Sequence, residues 1–237
     1  MRLVDKQKFG IISVLLISSV ILNNLLNIVL GGTKGMAVQF TNRICKQYYL
    51  REGKTKTGKP RYFFSAQQKG KGEIVDQIPA GYEIYEHPEN AQVFLRKIRP
   101  QLITDREKQL VEKAVKALQR SKRYIVDFKD KDITIYESSV DVENIKKILS
   151  DSPSFALLRS GNRVDDVIDM LVGGHYMAML RFHLENKEQR TFTVERFCFR
   201  GAIDDWIYLD GPENLQTLID MHVELLGTDG FYDSLPY

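Results

Sequence analysis

Runs of β-branched and aromatic residues in this chain come in adjacent pairs, each pair joined by a turn too short to hold a helix. Tyr124-Ile125-Val126-Asp127-Phe128 and Ile133-Thr134-Ile135-Tyr136 flank the polar residues 129–132. Residues 176–185 and 191–199 flank Asn186-Lys187-Glu188-Gln189. Parallel neighbours need a crossover of roughly a dozen residues or more, so these strands are expected to pair antiparallel. Two further pairs lie upstream. Gln47-Tyr48-Tyr49-Leu50-Arg51 faces Arg61-Tyr62-Phe63-Phe64 across a Thr-Gly turn in residues 54–59, and residues 82–85 face 92–96 around His87-Pro88-Glu89-Asn90. In residues 176–185, Met177, Met179, Arg181 and His183 alternate with Ala178, Leu180, Phe182 and Leu184, so the two sets fall on opposite sides of a strand.

Helical signals are fewer. Thr104-Asp105-Arg106-Glu107 is a capping box, in which the Thr hydroxyl and the Glu carboxylate satisfy free N–H groups of the first turn. Leu110, Val111, Ala114, Val115 and Leu118 then share one face, and the helix is expected to end near residues 120–123. Shorter helices are expected at 142–149, 164–171 and 215–226. The fold class expected is α+β: antiparallel hairpins packed with a few helices, preceded by an N-terminal hydrophobic helix. The organisation expected is a hydrophobic helix at 1–35, a small basic β-rich unit at 40–100, and an α+β domain at 101–237 with an acidic C-terminal segment.

Residues 11–30 hold fourteen Ile, Leu or Val and no charge. A helix of about 20 such residues matches a hydrocarbon core of about 30 Å. Asn23, Asn24 and Asn27 weaken the span, because amides in lipid need partners. The first expectation is a single-pass anchor. A cleaved signal peptide ranks lower, because no A-x-A-like site follows. The third reading starts translation at Met36, where the Lys/Arg-rich chain begins, and leaves the protein cytoplasmic. With an anchor, the balance of positive charge places the C-terminal domain in the cytoplasm.

The overall net charge of +3 conceals two opposed segments. Residues 43–71 carry nine Lys or Arg against Glu52 alone, and residues 201–237 carry eight acids and no Lys or Arg. The acidic segment is a candidate cover for the basic one, in the same chain or in a neighbouring copy.

Catalytic and metal signatures are weak. Gly53-Lys54-Thr55 resembles the end of a phosphate-binding loop, but the required earlier glycine is replaced by Tyr48. His87, His175, His183 and His222 are scattered; His175 and His183, on one strand, would sit ~26 Å apart at 3.3 Å per residue. No metal and no cofactor is expected. Asp204-Asp205-Trp206 is the most suggestive acidic spot, with acid–base work set against a plain chain reversal marked by Gly201 and Gly211-Pro212. Asp165, Asp166 and Asp169 share a helix face and read as solvated. Cys45 and Cys198 carry no pattern of a nucleophile or disulfide.

What remains is the basic unit. Lys54, Lys56, Lys59 and Arg61 lie on or beside a turn, with Tyr49 and Tyr62 among the flanking aromatics. Basic strand hairpins enter a major groove or lie along phosphates, and aromatics stack on exposed bases. The plain alternatives are a lysine-protected edge with core aromatics, and attraction to anionic headgroups.

The stretches YYLREGKTKTGKPRYFF, IPAGYEIYE and QVFLRK, with RTFTVERFCFRGAIDDWI and LLGTDGFYD further on, resemble a family of uncharacterised bacterial proteins over roughly residues 46–237. That resemblance implies no site. The basic hairpin is weakly similar to the three-stranded arm-binding domains of phage-type integrases, without the recombinase pattern that would follow. The function expected first is a non-enzymatic, membrane-associated binding or adaptor protein, with lipid headgroups as partners of the N-terminal helix and basic segment. The second is a soluble nucleic-acid-binding protein starting at Met36, and the third an enzyme using Asp204 and Asp205.

Overall fold

A computed structural model describes residues 37–67, 69–142, 144, 145, 147, 163–200 and 203–233. Three antiparallel sheets account for most of the regular secondary structure among the described residues. The first holds β1 (Gln39–Thr41), β2 (Gln47–Lys54), β3 (Pro60–Ser65) and β4 (Glu73–Ile74). β2 is central: β3 pairs along one side, while β1 and β4 share the other. The second sheet is the hairpin of β5 (Tyr82–Glu86) and β6 (Val93–Lys97).

After α1 (Asp105–Ala117) comes the large sheet. Its strands are β7 (Tyr124–Lys129), β8 (Asp132–Ser138), β9 (Tyr176–Asn186), β10 (Thr191–Arg200) and β11 (Ile203–Asn214), in the spatial order β11-β10-β9-β8-β7. α2 (Arg163–Gly174) leads into β9, and α3 (Leu215–His222) and the short α4 (Gly230–Asp233) follow β11.

The main core lies between one face of this sheet and α1, α3 and α4. Ile133, Ile135, Leu180, Phe182, Phe192 and Val194 meet Val111, Leu218 and Phe231 there, all essentially removed from water. A smaller cluster around Ile168, Val172 and Tyr176 packs with Ile125 and Tyr136 on the opposite face. The capping box at Thr104 forms as the sequence requires, with Glu107 returning to the Thr104 backbone N–H at 2.7 Å. The Glu107 carboxylate also accepts from the Arg190 guanidinium, whose Nε donates at 2.9 Å, and this ties the start of α1 to the β9–β10 turn.

Several expectations are corrected. The fold is mostly antiparallel β with few helices, not α+β. The physical reason is that the hairpins do not stop at pairs. β8 pairs with β9, which fuses two hairpins, and β10 gains β11 as a further neighbour. Residues 203–214, read from Asp, Gly and Pro as a chain reversal, form that strand. The single-pass membrane reading, with its transmembrane helix and membrane localisation, is also corrected. Among the described residues no helix is long and apolar enough to cross a membrane. The hydrophobic segment 11–30 lies outside the described residues, as does half of the helix expected at 142–149.

Candidate functional site: a basic two-stranded arm

β1 and β4 end their pairing with β2 by Glu52, but β2 and β3 continue together to the pair Lys54–Pro60. Residues 53–61 therefore project as a two-stranded arm. Every residue from Lys54 to Arg61 is exposed. The tip closes through the Thr55 N–H to the Lys59 carbonyl at 2.8 Å and the Gly58 N–H to the Thr55 carbonyl at 2.9 Å. Thr55 Oγ1 accepts from the Lys59 N–H at 3.1 Å and lies 3.0 Å from Thr57 Oγ1. Gly58 carries the left-handed backbone (φ 79°) that lets the turn reverse.

Lys54, Lys56, Lys59 and Arg61 form no ion pair among the described residues. The same holds for Lys69 and Lys71, both exposed on the loop 66–72 beside the arm. No ion pair joins the basic segment to the acidic one among those residues either, so no cover of the arm within the chain is found there. Lys69 and Lys71 belong with the arm although turn chemistry alone did not single them out. The signal available was the alternation of glycine and lysine in Lys69-Gly70-Lys71-Gly72.

Two members of the basic excess are structural. Arg51 is buried beneath the loop, and its guanidinium donates to the carbonyls of Gly72 at 2.8 Å, Gly70 at 3.2 Å and Gln67 at 3.4 Å. Gly72 makes this approach possible: at φ 82°, an added Cβ would lie 2.6 Å from the Glu52 carbonyl oxygen. Gly72→Ala is expected to lower stability by about 1–2 kcal/mol. Thermal melting checks this, and faster proteolysis within 66–72 should accompany it.

Arg43 makes the other internal set. Its Nε donates to the Gly173 carbonyl at 2.5 Å, one terminal nitrogen to Glu86 Oε1 at 2.9 Å, and the other to the Pro88 carbonyl. Burial raises the Glu86 carboxyl above its ordinary range, and the bonds from Arg43 pull it partly back.

The two tyrosines do not join the cations as one surface. Successive strand residues face opposite ways. The register pairs Tyr49 with Ser65 and Glu52 with Tyr62, so Tyr49 and Tyr62 lie on opposite faces of the sheet. The Tyr62 ring packs against Tyr82 with centroids 6.1 Å apart. Its hydroxyl is raised above the usual value by burial and then by neighbouring Glu52. Tyr49 is half-buried and donates to Gln47 at 3.0 Å.

The other sequence candidates fall away from the arm. Asp204 and Asp205 are both exposed on β11, and neither is enclosed as acid–base chemistry would require. Trp206 beside them stacks edge-on with Phe197 at 5.1 Å and lies under the Arg181 guanidinium, which itself pairs with Glu195 at 2.5 Å. His183 pairs with Asp132 at 2.6 Å and His222 with Asp210 at 3.3 Å, while His87 accepts from the Glu89 N–H. No group of three or more His, Cys, Asp or Glu suited to a metal ion occurs among the described residues. Cys45 and Cys198 are free thiols.

No family model, curated protein or solved structure matches this chain. The two resemblances drawn from the sequence therefore add nothing to the site.

Proposed function

We propose that the protein binds nucleic acid through the β2–β3 arm. The observation that carries this reading is the set Lys54, Lys56, Lys59 and Arg61: exposed, without ion-pair partners among the described residues, and held on a projecting hairpin. Cations left unpaired on an ordered scaffold are set to replace counterions on a polyanion at little ordering cost. Lys69 and Lys71 extend the same positive field.

Binding of this kind weakens linearly on a log–log plot against salt, by a slope of about −0.9 per phosphate contacted on duplex DNA. Four contacts give a slope of roughly −3.6. The triple variant Lys54→Glu, Lys56→Glu, Lys59→Glu is expected to bind at least tenfold more weakly and to show a shallower slope. Fluorescence anisotropy with labelled DNA and RNA, run at several salt concentrations, measures both. Undiminished binding in the triple variant would exclude the arm as the site. Capture of anionic vesicles with nucleic acid left unbound would turn the reading toward lipid headgroups.

A further inference from the structure

Resting on the nucleic-acid reading above, we infer that the arm's target is double-stranded DNA, entered through the major groove. Three features of the arm support the choice of duplex over single strand.

The first is where the cations point. The register pairs Lys54 with Pro60 and Gly53 with Arg61, so Lys54 and Arg61 emerge on opposite faces of the ribbon. A ribbon lying flat on one phosphate row uses only one face. A ribbon inside a groove has a phosphate wall on each side, and cations on both faces then meet phosphates.

The second is size. Two paired strands stand about 4.7–4.9 Å apart, and a major groove about 12 Å wide admits such a ribbon with its side chains. From Gly53 to Lys56 the arm runs three residue steps, about 10 Å at 3.3 Å each, against a groove depth of about 8.5 Å. The A-form major groove of duplex RNA is deep and too narrow to admit side chains, so duplex RNA is excluded from the same mode.

The third is the disposition of the rings. Single strands are held by aromatic faces on which bases stack. Residues 54–61 contain no aromatic side chain. The nearest rings are engaged: Tyr62 packs on Tyr82, Tyr48 is buried, and a Cβ placed at Gly53 or Gly72 would meet the Phe63 ring at 3.3 Å.

The test uses one sequence of about 20 nucleotides in three forms, namely duplex DNA, single-stranded DNA and duplex RNA, titrated by anisotropy at one fixed salt concentration. Duplex DNA is expected to bind at least tenfold tighter than either other probe. Lys54→Glu and Arg61→Glu, made separately, should each weaken duplex binding at least threefold, because each removes a contact to a different wall. Single-stranded DNA bound as tightly as duplex overturns the inference and leaves the nucleic-acid reading standing. Duplex RNA bound as tightly as duplex DNA, or an effect from only one of the two single variants, overturns groove insertion. Failure of all three probes at low salt removes the nucleic-acid reading itself. Circular dichroism of each variant verifies that the fold is intact.

Discussion

Arg43→Ala is expected to lower stability by about 3 kcal/mol. The substitution removes the donors to the Gly173 and Pro88 carbonyls and the counter-ion of Glu86. It also removes a cation held 5.4 Å from the Tyr176 ring centroid. Deleting one partner of a buried pair costs about 3–5 kcal/mol. Here the side chains are 21% and 18% exposed, which places the cost at the lower end. The loss should be uneven across the molecule. Arg43 precedes β2 and reaches the β5–β6 turn and the end of α2, so it fastens the first sheet to elements packed on the large one. Hydrogen exchange should therefore accelerate in β1–β6 more than in β8–β10. Uniform acceleration would show that Arg43 does not serve as this fastener. Arg43→Lys should recover only part of the loss, since an ammonium cannot span three acceptors in the geometry of a guanidinium.

Glu107→Gln is expected to cost about 2 kcal/mol at neutral pH, the range for bonds to a charged group. Burial pushes the Glu107 carboxyl up, but bonds from Arg190 and Thr104 outweigh it and leave the group below the ordinary glutamate range. The sign then follows. A carboxyl lowered on folding contributes stability that is full above its unfolded value, near 4.3, and is lost as pH falls through its folded value. The wild type should lose stability on acidification through that window, and the Gln variant should lose less. Glu86 has the opposite sign, because its folded value is raised. Its contribution is full below the unfolded value and declines as pH rises through the folded one. Urea unfolding of both Gln variants between about pH 3 and 7 separates them. Parallel curves for wild type and Glu107→Gln would contradict the assignment to Glu107.

The hairpins were legible because their information is local. β7–β8 and β9–β10 follow from β-branched and aromatic runs around short polar turns, and the start of α1 follows from four consecutive residues. β11 was not legible: Asp204, Asp205, Gly211 and Pro212 are turn formers by themselves, and only the neighbouring β10 edge draws them into a strand. Strict alternation also failed at Met179. The pairing steps from Ile135–Leu180 to Tyr136–Ala178, a bulge that turns Met179 into the core while Met177 stays exposed. At the site, the arm's cations were readable from an exposed turn. The roles of Arg43 and Arg51 were not, because a charge count cannot separate a solvated arginine from one whose guanidinium is spent on carbonyls. The separation of Tyr49 from Tyr62 needed the parity of the β2–β3 register.

The order in which the core is assembled bears on how the chain is made. Phe231 is 2% exposed in a core whose other walls are α1, α3 and the large sheet. The neighbouring Arg196 on β10 donates to the Phe231 carbonyl at 2.6 Å. During synthesis, β7, β8 and β9 leave the ribosome well before the residues that seal them. Until α3 and Phe231 emerge, the nascent chain holds a sheet whose apolar face has only α1 to cover it, the state in which chaperone holding and mispairing are most consequential. The large sheet is thus a late-closing structure, and the basic arm, whose strands pair within residues 39–74, can be complete long before it.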